Sequence, residues 1–228
     1  MQWDDSGFLL SKNKYKENSV IAEFYSLNHG KCSGIIYGGT SRKIKNYLQL
    51  GNKLSINYKS KNQSNFGYFK IEIQEPVSPY FFDDKGKIIT LISSVNLLKL
   101  LTPELQKNTN IYNLFSNLTK SMKNNNETYI FDYLLWEISF LKEIGFDLNL
   151  TNHYTEKLNN NDISMIKIDN ELTKVPNFLI NKNFINIKKE LIFYALKFIG
   201  NYIYKQILKP NNLNTITFRN NLIDLYKS

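Results

Sequence analysis

Apolar and polar positions alternate along the first 75 residues. In 53–59, Leu54, Ile56 and Tyr58 share one face, while Lys53, Ser55, Asn57 and Lys59 take the other. In 68–74, Phe69, Ile71 and Ile73 oppose Tyr68, Lys70, Glu72 and Gln74. A period of two predicts half-buried strands. Residues 7–15, 19–26 and 31–37 read the same way, with turn chemistry at 16–18 and 28–30. Five short strands in so short a length predict a small closed barrel, because closure removes the exposed edges.

Pro76 and Pro79 interrupt the chain, and the period then becomes helical. Residues 87–101 carry Ile88, Leu91, Ile92, Val95, Leu98 and Leu101 at helical spacing, and 110–122 repeats the pattern. Thr102-Pro103-Glu104 reads as an N-cap followed by a first-turn proline. Residues 127–144 form a third helix, widened by Tyr133, Trp136 and Phe140 and stopped at Gly145; it is expected to be the central, most buried helix of a bundle. A polar, asparagine-rich stretch at 149–174 precedes a long helix at 183–208, ended by Pro210, and a short one at 215–226. Strands first and helices afterwards predict an α+β chain, a barrel at 1–78 and a helical domain at 79–228.

Charge sharpens this picture. The 228 residues carry a net charge of +9, which favours an acidic partner, nucleic acid or an anionic membrane surface. Lys and Asn abound throughout, as codon bias in an AT-rich genome would produce, so position matters more than the total. Through residue 75, Arg42 and ten lysines face six acids, leaving +5 on a third of the chain. The densest part comes after a strand and a Gly38-Gly39 turn, where Arg42, Lys43 and Lys45 suggest an exposed cationic loop. Tyr37, Tyr47, Tyr58, Phe66 and Tyr68 are interleaved with these cations. Small barrels pair cations with rings in this way to hold a nucleic-acid backbone while bases stack. For each ring the competing role is a place in the core. The candidate binding set is Tyr37, Arg42, Lys43 and Lys45, assisted by Lys31, Lys53 and Lys59.

Other chemistries are poorly supplied. Cys32 is the only cysteine, which excludes an intrachain disulfide and suits a reducing cytoplasm. The acidic N-terminus lacks a secretory pattern, and no apolar run approaches the ~20 residues of a transmembrane helix; a soluble protein without membrane partners is expected. His29, Cys32 and His153 are three residues where structural zinc needs four, so no metal and no cofactor is expected. Phosphate-loop, His-Glu-x-x-His and Gly-x-Ser-x-Gly patterns are missing, which argues against an ATP-driven or hydrolytic enzyme. An RNA-binding barrel and a protein-interaction scaffold remain as rival readings; a metal-dependent nuclease lacks a carboxylate cluster.

Several segments together resemble the RecO family of DNA repair and recombination mediators. They are Trp3-Asp4-Asp5-x-Gly7, Glu17-Asn18-Ser19-x-Ile21, Asn28-His29-Gly30-Lys31, Gly38-Gly39 with Ser41-Arg42-Lys43, Leu48-Gln49-Leu50-Gly51-Asn52, and Trp136-Glu137-x-x-Phe140-Leu141-x-Glu143-x-Gly145-Phe146-x-Leu148. The resemblance implies an N-terminal OB-fold barrel, a C-terminal helical domain, and a bacterial, nucleoid-associated cytoplasmic protein. It also implies binding of single- and double-stranded DNA, annealing of complementary strands, cooperation with RecR, contact with single-stranded-DNA-binding protein, and help in loading RecA. Some family members carry a four-cysteine zinc module after the central helix; here that region is cysteine-free, and an irregular insert at 149–177 is expected in its place.

Overall fold

The computed structural model describes residues 1–60, 66–124, 128–150, 155–157, 162–168 and 171–227. The chain divides into two compact units, Met1–Tyr129 and Ile130–Ser228. Among the described residues no helix is long and apolar enough to cross a membrane.

In the first unit, β1 (Gln2–Lys16), β2 (Ser19–Ser26), β3 (Gly30–Tyr37), β4 (Lys53–Lys59) and β5 (Gly67–Glu75) close into a barrel ordered β1-β2-β3-β5-β4. All five expected strands and the closure are present. The inward phase of each alternation fills the interior with Val20, Ala22, Phe24, Cys32, Ile36, Leu54, Ile56, Tyr58, Phe69 and Ile71. β1 starts earlier than the alternation suggests, because Gln2 to Ser6 pair with β4 despite their polar side chains. The antiparallel ladders run for seven or eight residue pairs. The parallel β3–β5 seam has only Gly34↔Gly67 and Ile35↔Tyr68.

The connection from β3 to β4 corrects one expectation. Arg42, Lys43 and Lys45 lie on a short helix, α1 (Arg42–Tyr47), rather than a loop. Ile44 and Tyr47, one helical turn apart, pack against the barrel core, and Leu48 is buried behind them. This apolar face fixes the turn of helix and leaves the cations outside.

After a 3-10 turn at Ser78–Phe81, α2 (Lys85–Leu101) and α3 (Thr109–Lys123) complete the unit. Buried Asn52 ties the barrel exit together: its Oδ1 accepts from the N–H groups of Val77 (2.7 Å) and Ser78 (3.2 Å), and its Nδ2 donates to Tyr47 O (3.1 Å). Thr102 ends α2, with its Oγ1 donating to Leu98 O at 2.6 Å, and Asn108 is the N-cap of α3, accepting from Ile111 N at 3.1 Å. The expected capping role of Thr102-Pro103-Glu104 is therefore displaced by one connection. Those residues instead run along β3: Glu104 bridges Lys31, and Leu105 N donates to Lys31 O at 2.7 Å.

Asp5 fastens the β2–β3 turn to β1. Its carboxylate accepts from Ser6 N (2.8 Å), Asn28 N (2.8 Å) and Asn28 Nδ2 (3.1 Å), and bonds His29 Nδ1 at 2.9 Å. The His29 ring stacks on Trp3 at 3.9 Å. Burial opposes ionisation of Asp5, but the bonds from His29, Asn28 and Ser6 outweigh it and hold the carboxyl below its ordinary range. A depressed folded-state value stabilises the fold above the unfolded Asp value of about 3.9 and loses that contribution as pH falls through the folded value. Asp5→Asn is expected to cost about 2 kcal/mol at neutral pH, since one of the two acceptor oxygens becomes an amide NH2 that faces N–H donors. Urea midpoints should show the gap between variant and parent closing below pH 4.

In the second unit, α4 (Tyr129–Glu143) is buried along most of its length, as expected of a central helix: Tyr133, Leu134, Glu137, Phe140 and Leu141 are fully covered. The 149–177 segment is not irregular where it is described. β6 (Thr155–Lys157), β7 (Ile163–Ile168) and β8 (Glu171–Pro176) form an antiparallel sheet. Residues 163–168 break a strict alternation at the adjacent Met165 and Ile166, and the asparagines around them hide the strand further. α5 (Asn177–Asn181) and α6 (Lys189–Ile203) come next, and a π-helical turn at Tyr204–Leu208 precedes α7 (Thr217–Leu225). The long helix expected from 183 starts later because Lys182 and Asn186 hold left-handed φ values of 55° and 54°. Arg219 of α7 reaches Glu137 of α4 with Nε at 2.5 Å and Nη2 at 3.0 Å, and its Nη2 also donates to Leu196 O of α6 at 2.8 Å. Tyr133 OH donates to Glu137 at 3.2 Å. Burial works against the Arg219 charge, and the facing carboxylate overrides it.

Candidate nucleic-acid interface

Outward phases of β4 and β5, the end of β3, and α1 enclose a surface groove of about 670 Å³. Ile44 contributes the α1 wall, and Tyr37, Tyr68, Lys70, Glu72, Ser55, Asn57 and Asp4 contribute the sheet side. Strand pairing explains the arrangement. Tyr68 lies opposite Lys59 on β4 and Ile35 on β3, while Lys70 lies opposite Asn57. Residues directly opposite in a sheet share a face, so Lys59, Tyr68 and Lys70 belong to one outer row.

Tyr37 and Tyr68 stack with ring centroids 5.0 Å apart and planes 22° apart. Tyr37 is 63% exposed and Tyr68 37%, so the pair covers one face of Tyr37 and leaves the rest to solvent. Their mutual hydrogen bond raises the Tyr37 hydroxyl above its ordinary range. Arg42, Lys43 and Lys45 are exposed on α1, and none makes an ion pair among the described residues. Lys12 of β1 donates to Leu48 O at the end of α1. Burial lowers its ammonium from the ordinary lysine range, and repulsion from Lys45 lowers it further. Lys12 thus joins the α1 cations in one positive cluster.

The expected set divides here. Tyr37, Arg42, Lys43, Lys45 and Lys59 are exposed around the groove and α1. Lys31 and Lys53 lie elsewhere. Lys31 Nζ donates to Lys99 O, at the carbonyl end of α2, at 2.9 Å. Lys53 Nζ sits 5.8 Å from the Tyr112 ring and 6.0 Å from the Phe8 ring, beside α3. Both act as internal ties of the first unit. Of the interleaved rings, Tyr58 is a core residue and Tyr47 packs from α1 against the barrel core, whereas Phe66 and Tyr68 are exposed. Tyr68 and Lys12 belong to the site without standing in the expected set. The alternation already puts Tyr68 out of phase with Phe69 and Ile71; Lys12 carries no such signal, because only folding brings β1 against the end of α1.

Cys32 is buried in the barrel, where loss of hydration pushes its thiol up to about 12; His29 is engaged by Asp5 and Trp3. His153 lies outside the described residues. Among the described residues no group of three or more metal-binding side chains occurs.

Comparisons with known proteins agree with the barrel and with the helical region after it. Residues 1–77 match the family model "Recombination protein O N terminal", and residues 90–210 match "Recombination protein O C terminal". A DNA repair protein RecO of Wolbachia sp. subsp. Drosophila simulans (strain wRi) is 30% identical over 151 residues, 66% of this chain and 62% of that protein. One from Ehrlichia chaffeensis is 27% identical over 161 residues, 71% of this chain and 65% of the relative. The matched part thus spans less than two thirds of the length of these curated relatives. A solved asparaginyl-tRNA synthetase of Entamoeba histolytica is similar over 76% of this chain and 39% of that one, with 13% identity and a TM-score of 0.27, too low to carry an argument. With both halves matched in order, and the barrel and helices where those halves fall, the chain belongs to the recombination protein O family.

Proposed function

We propose that this chain is a non-enzymatic recombination mediator in DNA repair, and that its barrel binds single- and double-stranded DNA through phosphate contacts from Arg42, Lys43 and Lys45, with Lys59, Lys12 and Tyr37 beside them. The family and the names of its relatives support the role in repair. The observation that carries the binding mode is the set of exposed α1 cations free of carboxylate partners among the described residues. Placing cations on two complementary strands lowers their mutual repulsion and speeds their meeting, which is how a basic scaffold anneals DNA without ATP. Loading of RecA onto strands coated by single-stranded-DNA-binding protein, together with RecR, extends the same reading. The barrel at 1–78 supplies the DNA contacts and the remainder docks proteins, in a bacterial cytoplasm near the nucleoid.

The test is a salt titration. Each lost single-strand phosphate contact lowers the slope of log affinity against log salt by about 0.7. The triple variant Arg42→Ala, Lys43→Ala, Lys45→Ala should therefore lose roughly 2 from the slope, together with affinity. A triple variant with parental slope and affinity would remove α1 from the binding surface and this mechanism with it.

A further inference from the structure

The groove beside α1 carries charges that do not suit a phosphate. Asp4 and Glu72 both line it, both are exposed, and neither makes an ion pair among the described residues. Asn57 lies between them in function: its Nδ2 donates to Asp4 at 2.6 Å, and Ser55 adds a hydroxyl. A phosphodiester laid along this floor would meet two carboxylates. A nucleobase would meet acceptors for its exocyclic amino group and the exposed Tyr37–Tyr68 stack for its ring. Lys70 is the one cation among the lining residues, opposite Asn57, so the lining keeps an acidic excess; the other cations stand outside it, on α1 and at Lys59 in the outer row.

We infer that the groove takes unpaired nucleobases of a single strand, stacked on Tyr37 and Tyr68 with their amino groups toward Asp4, Glu72 and Asn57, while the backbone tracks the α1 cations. This rests on the proposed DNA-binding role and deepens it by assigning strand and base preference to the site. A paired duplex keeps its bases inside and offers the groove only phosphates, which the carboxylates reject. Cytosine and adenine offer an exocyclic amino donor; thymine offers none, only a ring N–H. The floor therefore favours deoxycytidine and deoxyadenosine over thymidine.

Three fluorescent oligonucleotides of equal length test this at one salt concentration: oligodeoxycytidine, oligothymidine, and an abasic deoxyribose-phosphate chain. The protein should bind the abasic chain at least about tenfold more weakly than oligodeoxycytidine, with oligothymidine between them. Tyr37→Ser with Tyr68→Ser should bring oligodeoxycytidine and abasic affinities together. Glu72→Gln, which removes a surface charge without a buried partner, should narrow the gap between deoxycytidine and thymidine by strengthening thymidine binding. Equal affinity of the parent protein for base-bearing and abasic chains overturns the groove assignment, yet leaves the α1 phosphate contacts standing if the salt slope still responds to their removal. A parent that binds none of the three overturns both readings.

Discussion

Arg219→Met should lower the unfolding free energy by about 3–5 kcal/mol, read as a shift in urea midpoint with an unchanged slope. The reason is what stays behind rather than what is removed. Glu137 is fully covered, and its two oxygens are met by Arg219 Nε, Arg219 Nη2 and Tyr133 OH. Without the guanidinium, a carboxylate remains in an apolar interior with one hydroxyl donor. Replacing both members, Glu137→Leu with Arg219→Met, removes both charges from the interior and should recover much of the loss. If the double variant is as unstable as the sum of its parts, the pair acts through packing and not through charge. The ion pair also dictates a small residue on α6: a Cβ at Gly200 would lie 2.3 Å from Arg219 Nη1.

Gly30→Val should be comparably severe, costing roughly 3–5 kcal/mol. Gly30 has φ of +67°, and a Cβ there would stand 2.0 Å from Gln106 O and 2.6 Å from its carbonyl carbon. The clash is with backbone, so no rotamer relieves it. Gly38→Ala separates the two causes: it has a similar φ of +69° but nothing within 4 Å of the added methyl. Backbone strain alone should cost about 1 kcal/mol at Gly38. Equal midpoints for the two variants would show that the segment after α2 yields readily and that strain, not contact, governs both sites.

These residues show what a sequence exposes and what it hides. The barrel is legible because β3 and β4 bury every second residue, as do β2 over 20–24 and β5 over 67–71, and a period of two survives any amount of lysine. β7 lacks a strict alternation, since Met165 and Ile166 are adjacent, and six residues inside an asparagine-rich stretch are too few to stand out. α1 reads as a loop because its apolar face consists of only Ile44 and Tyr47. Among the candidate cations, local sequence does not separate Lys45 from Lys31 or Lys53. What differs is the surroundings: the end of α2 and the rings beside α3 come from residues more than 40 positions away. Glu137 and Arg219, 82 positions apart, carry no sign of their pairing.

The barrel's seams are unequal in a way that bears on what the groove can hold. Four edges are laced by long ladders, while β3 and β5 meet at two residue pairs, directly beneath the tyrosine stack. Compliance is thus concentrated along a single line of the wall. On the inferred base-binding reading, a seam held by two pairs would let β5 shift beside Tyr68 more readily than the seven-pair β4 ladder allows, and rings of different width would fit the same two side chains. Tolerance of ring size would then come from an incomplete ladder, where a fully zipped wall would select by shape.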